Sequence, residues 1–124
     1  MATVLVVDDD PVILKLLEVN FQMDGFDVVC ARDGEEALAV ARSRQPDVIV
    51  TDVMMPKVSG LDLLAALRED PATKGIPVLL LSARAQATDV REGLEAGADD
   101  YVTKPFEPLD LAERVARLVE GRDR

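Results

Sequence analysis

Four places in the sequence set polar side chains directly after short apolar runs: Asp8-Asp9-Asp10 after residues 4–7, Asp52 after 48–50, Ser82 after 78–81, and Lys104 after Tyr101-Val102. Any one of these alone reads as ordinary surface, because Asp and Lys are rarely buried. Brought to one edge, they become a reactive set. Two carboxylates about 4 Å apart repel by about 4 kcal/mol at an effective dielectric of 20, so Asp8, Asp9 and Asp52 sharing a crevice call for a cation. An all-oxygen donor set suits Mg²⁺, with Mn²⁺ as the alternative, and such an ion usually keeps waters and takes the phosphate oxygens of a substrate. A divalent ion, a lysine and a hydroxyl around a carboxylate are equipment for phosphoryl transfer. The metal and Lys104 would neutralise charge on the equatorial oxygens, Ser82 would donate a hydrogen bond, and one carboxylate would be the nucleophile.

The elements that must position these residues follow from the same pattern. Runs at 4–7, 28–30, 48–50, 78–81 and 101–102 lack polar alternation, which suits strands covered on both faces, as in a parallel sheet. Helix signals lie between them. Asp10-Pro11 is an N-cap followed by proline at the first helical position, and Ile13, Leu17 and Phe21 recur at a spacing of four until Gly25, which predicts a helix over 11–24. Asp33 caps a second helix with a narrow stripe of Ala37, Leu38 and Ala41, and Gly60 opens a third with Leu63, Leu64 and Leu67. A fourth is expected over 89–96, with a thin stripe of Val90 and Leu94, and a fifth from Pro108 to Gly121 through Leu111, Val115, Leu118 and Val119. Five strands alternating with five helices is a doubly wound α/β pattern, with right-handed crossovers and the site at the carboxyl ends of the strands.

Composition narrows the function further. The 124 residues are 48% hydrophobic, 3% aromatic and 31% charged, a single globular domain with an aliphatic core. With 14 basic against 24 acidic residues and no histidine, the net charge of −10 disfavours a surface that coats phosphate backbones, so no direct nucleic-acid partner is expected, and imidazole zinc sites are excluded. The lone Cys30 reads as a small core residue. Neither a signal peptide nor a membrane span is evident, which predicts a cytoplasmic protein.

Four strings taken in order, Val6-Val7-Asp8-Asp9-Asp10, Val50-Thr51-Asp52-Val53-Met54-Met55-Pro56 with Gly60, Leu81-Ser82-Ala83, and Gly97-Ala98-Asp99-Asp100-Tyr101-Val102-Thr103-Lys104-Pro105-Phe106, closely resemble the receiver domain of two-component response regulators. The resemblance runs over essentially the whole chain, with residues 1–121 as the receiver domain and 122–124 as a polar tail. It implies the flavodoxin-like strand order 2-1-3-4-5. It further implies that Asp52 accepts a phosphoryl group from a sensor histidine kinase or a histidine phosphotransfer protein. Asp9 and Asp52 would bind Mg²⁺ directly, Asp8 through water, and Met54 through its backbone carbonyl. Lys104 would pair with the phosphoryl group, Ser82 would hydrogen-bond to it, Ala83 would leave space for the moving loop, and Tyr101 would be the aromatic switch. Lys104-Pro105 is expected to be cis.

Such a domain catalyses only its own phosphorylation and dephosphorylation, and passes the signal to a downstream protein or a fused output domain. The face made by the fourth helix, fifth strand and fifth helix implies a phosphorylation-dependent homodimer in which Asp100, Asp110 and Arg114 pair across the interface, although Val90 stands where a basic residue is expected. Met54 and Arg84, two residues beyond Asp52 and Ser82, bear on the lifetime of the acyl phosphate. Other residues have simpler readings: Asp10 as a helix cap, Asp99 and Asp100 as a solvated turn, Tyr101 as a half-buried aromatic. The alternative activity is a Mg²⁺-dependent phosphatase of the haloacid dehalogenase type, whose first motif Asp8-x-Asp10 mimics, although Pro11-Val12 follows where Gly-Thr is expected. Three carboxylates after the first strand disfavour a flavodoxin-like cofactor binder, and the joint presence of Asp9, Asp52, Ser82 and Lys104 argues against a receiver that only binds partners.

Overall fold

The computed structural model describes residues 2–122, excluding the side chain of Arg122. Its elements run β1 (Thr3–Val7), α1 (Pro11–Met23), β2 (Asp27–Ala31), α2 (Gly34–Arg44), β3 (Val48–Asp52), α3 (Gly60–Glu69), β4 (Val78–Ser82), α4 (Ala87–Glu95), β5 (Asp100–Thr103) and α5 (Pro108–Arg122). The strands form one sheet in the order β2-β1-β3-β4-β5, with every pair parallel. This is the doubly wound α/β fold and strand order expected from the sequence.

The unbroken apolar runs are explained by two cores, one on each face of the sheet. Leu5, Val7, Ile49, Val78 and Leu80 meet Ala37, Ala41, Leu63, Leu64 and Leu67 of α2 and α3. Their strand neighbours Val4, Val6, Val48, Val50, Leu79 and Leu81 meet Leu14, Leu17 and Phe21 of α1 and Leu111 and Val115 of α5. Successive strand side chains point to opposite faces, so β3 and β4, covered on both, are apolar over their first residues and carry polar groups only toward their carboxyl ends.

The helix starts are fixed by local chemistry. Asp10 accepts the Val12 N–H at 2.9 Å ahead of Pro11, and Asp33 accepts the Glu36 N–H at 2.8 Å. Ser59 and Asp62 form a reciprocal capping box at α3, which the sequence reading did not anticipate.

Three expectations are corrected. β3 and β4 run past their apolar stretches, so Asp52 and Ser82 are the last strand residues rather than the first loop residues. On α4 the buried residue is Gly93; Leu94 is exposed and Val90 only half-buried, so the expected stripe does not form. Gly121 does not end α5, which continues to Arg122; Asp123 and Arg124 of the expected tail lie outside the described residues.

Candidate functional site

Parity within the strands decides which side chains can meet. Asp52 follows Val48 and Val50 on the α1/α5 side of the sheet, and Asp8 and Lys104 follow Val6 and Val102, which belong to the same core. Ser82 instead continues the line of Val78 and Leu80, the face on which Tyr101 packs. The polar edge is thus divided into an acidic half with one lysine, and a hydroxyl half beside α4.

In the acidic half, one carboxylate oxygen each of Asp8, Asp9 and Asp52 lies within 4.8 Å of the others. Asp8 and Asp52 are buried and Asp9 is exposed. Asp8 is held from three directions: its N–H donates to Ala31 O at 3.2 Å, its Oδ1 accepts the Asp10 N–H at 2.9 Å, and its Oδ2 accepts from Lys104 Nζ at 3.2 Å. Lys104 Nζ also lies 3.5 Å from Asp52 Oδ1. Burial pushes the Asp52 carboxyl above its ordinary value; Lys104 opposes this, Asp8 adds to it, and the Met54 N–H donated to the carboxylate opposes it in turn. Three carboxylates against one ammonium leave an excess of negative charge on an all-oxygen set, the donor chemistry that a hard divalent cation fits.

The surrounding backbone is close-packed. Gly60 N–H donates to Val53 O at 2.8 Å, and a Cβ at Gly60 would collide with the Asp52 carbonyl oxygen, so the start of α3 rests directly on the end of β3. Lys104 N–H donates to Ser82 O at 2.7 Å, tying the ends of β4 and β5 together, and Lys104-Pro105 is cis as expected. Met54, in the loop after Asp52, exposes 53% of its surface.

In the hydroxyl half, fully buried Ser82 accepts the Arg84 N–H at 3.1 Å through Oγ, and Tyr101 donates its hydroxyl to Arg84 O at 2.8 Å. The backbone of Arg84 therefore stands between the two polar side chains of this half. Ala83 borders a mostly apolar hollow of about 470 Å³ with Ile13, Leu16, Lys104, Pro105, Phe106 and Pro108.

Several bland readings need revision. Asp99 is no simple solvated turn: its Oδ2 accepts the Val78 N–H at 2.9 Å and pairs with Arg68 at 3.0 Å. Arg68, which the sequence reading passed over, donates to the carbonyls of Gly97, Lys74 and Ile76 as well, tying the α4–β5 turn to the chain entering β4. Asp100 and Asp110 both pair with Arg114 inside this one chain, at 3.0 Å each. Cys30 is half-buried at the edge of the α1/α5 core, its thiol 3.7 Å from Glu18 Oε2.

The comparisons with known proteins agree with this geometry. The family model for the response regulator receiver domain matches residues 4–116. The chain is 44% identical over its whole length to the DNA-binding dual master transcriptional regulator RpaA of Synechocystis, of which it covers 52%. It is 45% identical over 94% of its length to the alkaline phosphatase synthesis transcriptional regulatory protein PhoP of Bacillus subtilis, covering 48% of that protein. The chain thus spans about half the length of these curated relatives. Among solved structures, the receiver domain of the Francisella response regulator 1452 superposes with a TM-score of 0.92 at 40% identity, each chain covered to 98%. The Vibrio cholerae chemotaxis protein CheY4 follows at 0.90 and 36% identity, with 95% of this chain and 98% of that one covered. None of these matches supports the phosphatase alternative. With three acids, a hydroxyl and a lysine at the carboxyl edge of a 2-1-3-4-5 sheet, this chain belongs to the response regulator receiver domains of two-component systems.

Proposed function

We propose that Asp52 is the phosphoacceptor of this receiver and that Asp8, Asp9 and Asp52, with the backbone carbonyl of Met54, hold Mg²⁺. The observation that carries the reading is Lys104 Nζ, which lies 3.2 Å from Asp8 and 3.5 Å from Asp52 beside a three-carboxylate cluster. When bound, the ion supplies charge neutralisation for the incoming phosphoryl oxygens. An Asp52 carboxylate oxygen attacks phosphorus, the P–N bond of a phosphohistidine donor breaks, and its electron pair returns to the imidazole nitrogen. Lys104 stays to pair with the transferred group, and Ser82 Oγ, released from the Arg84 N–H, donates to it. Tyr101, joined to Ser82 through the backbone of Arg84, carries the change to α4 and β5 as a shift between two packings. The chain turns over no external metabolite.

A sensor histidine kinase or a histidine phosphotransfer protein is the phosphodonor. Exposed Val12, Leu16, Val19 and Met23 form an apolar stripe on α1, the helix that starts at Asp10 beside the acid site, and this supports a macromolecular donor. The output is a downstream protein or a fused domain. Relatives named as DNA-binding, of which this chain spans about half, support a DNA-contacting output domain, so the expectation of no nucleic-acid partner is confined to this chain's own acidic surface. A phosphorylation-dependent homodimer through α4, β5 and α5 is a further partner, with the partly exposed Asp100–Arg114–Asp110 cluster on that face. No helix among the described residues is long and apolar enough to cross a membrane, and we place the protein in the cytoplasm. Incubation with Mg²⁺ and acetyl phosphate should add one phosphoryl group to the intact mass of the wild type and none to Asp52→Asn. No adduct on the wild type, with Mg²⁺ binding verified, would overturn the reading.

A further inference from the structure

α4 sits on the sheet through an unusual contact. Its N-cap Gln86 makes no side-chain cap bond, and Gly93 is its one buried residue. Glycine in a helix interior costs stability, so Gly93 needs another physical reason. A Cβ built there would lie 2.8 Å from Leu80 Cδ1 and 2.9 and 3.2 Å from Tyr101 Cδ2 and Cε2. Leu80 and Tyr101 are register partners across β4 and β5, so they form one floor beneath the helix. The two differ in what they can do when crowded. Leu80 is fully buried in the α2/α3 core and has no space to enter. Tyr101 is half-buried, and its ring is held at the solvent end by the single bond from its hydroxyl to Arg84 O. Crowding at position 93 is therefore relieved by the tyrosine.

We propose that Gly93 is a positioning residue for the switch: its bare Cα lets α4 stay docked while the Tyr101 ring lies inward with its hydroxyl on Arg84. The size of residue 93 then sets the balance between inward and outward Tyr101, and α4 feels the ring through this contact alone among its buried residues. The inference rests on Tyr101 being the switch, as proposed above.

The chain has one tyrosine and no tryptophan, so 3-fluorotyrosine labels a single site. The ¹⁹F spectrum of the full chain, with and without Mg²⁺ and beryllium fluoride as a phosphoryl mimic, reports the inward and outward rings. Gly93→Ala should lower the inward-to-outward ratio about tenfold, the factor that about 1.4 kcal/mol of added crowding produces. Leu94→Ala, on the exposed side of the same turn, should leave the ratio unchanged. Leu80→Val, which removes the Cδ1 that blocks the other side, should return the Gly93→Ala ratio toward wild type, a rescue that general loss of stability would not give. The double variant also carries the test if Gly93→Ala alone melts without cooperativity. A ratio in Gly93→Ala equal to wild type overturns the inference. A wild-type ratio that ignores the mimic, while Asp52 still takes phosphate, overturns the switch role of Tyr101 instead.

Discussion

Asp52→Asn keeps the side-chain shape and removes one of three crowded carboxylates, so its effect on metal-free stability can be worked from the site. Asp8 and Asp52 offer oxygens within 4.8 Å of each other, a repulsion of at least about 3.5 kcal/mol at an effective dielectric of 20. Lys104 at 3.5 Å from Asp52 returns about 5 kcal/mol on the same scale. These nearly cancel, and burial decides the sign: a buried charge costs several kcal/mol, and the Asp52 carboxyl is raised despite its lysine and the Met54 N–H. Asp52→Asn should therefore stabilise the protein in EDTA by roughly 1–3 kcal/mol, at roughly 4 °C per kcal/mol for a chain of this size. Mg²⁺ should narrow that gap, since wild type gains about 2.7 kcal/mol at one hundred times its dissociation constant and the variant, short of a ligand, gains less. The pH dependence follows with a definite sign. A folded-state pKa raised above the ordinary 3.8 means the folded chain binds the extra proton, so wild-type stability falls as pH rises from 3.8 through the raised value. Asp52→Asn lacks that slope. Urea and thermal unfolding followed by circular dichroism, in EDTA and in Mg²⁺ and across pH, measure all of this. A variant less stable than wild type in EDTA, or one gaining as much from Mg²⁺, would refute the electrostatic account.

Other regions make separate predictions. Arg68→Ala removes the donor for the Gly97 and Ile76 carbonyls and for Asp99, and should cost about 2–4 kcal/mol in denaturant unfolding; a loss under about 0.5 kcal/mol would show the junction to be idle. Apolar Met54 cannot orient a water, so Met54→Asn and Met54→Glu should hydrolyse the acyl phosphate several-fold faster than wild type in a phosphate-release assay, and equal rates would remove the idea. Burial and Glu18 push the Cys30 thiol up to about 11 from the ordinary 9.0, so at pH 8 the thiolate is roughly a hundredfold scarcer and iodoacetamide alkylation should slow by about that factor. Alkylation at the rate of a free thiol would contradict the half-buried site.

The alternation of short apolar runs with capped helices made the fold legible, because a strand covered on both faces shows an unbroken apolar stretch before its polar carboxyl end, and Asp10, Asp33 and Pro11 mark helix starts by local chemistry. Asp8, Asp52, Ser82 and Lys104 were legible as strand-end residues, and the strand order came with the family resemblance rather than from the pattern. What stayed hidden depended on tertiary contact. Nothing local in the sequence marks Arg68 as a fork on three carbonyls, since its partners lie 6, 8 and 29 residues away. Gly93 sits inside a helical pattern where apolar periodicity points to Val90 and Leu94; the close approach of Leu80 and Tyr101 is the reason it faces inward. The pairing of Asp100 and Asp110 with Arg114 within one chain was not legible either, because it depends on bringing β5 and α5 together.

The central claim is that the acid beside Lys104 at the end of β3 carries the phosphoryl group. Treating the chain with Mg²⁺ and acetyl phosphate, reducing the acyl phosphate with borohydride, and sequencing the peptides by mass spectrometry reads the acceptor directly, since the phosphorylated aspartate becomes homoserine. The account predicts homoserine at position 52, dependent on Mg²⁺. Conversion at Asp8 or Asp9, or conversion unaffected by removing Mg²⁺, would contradict it.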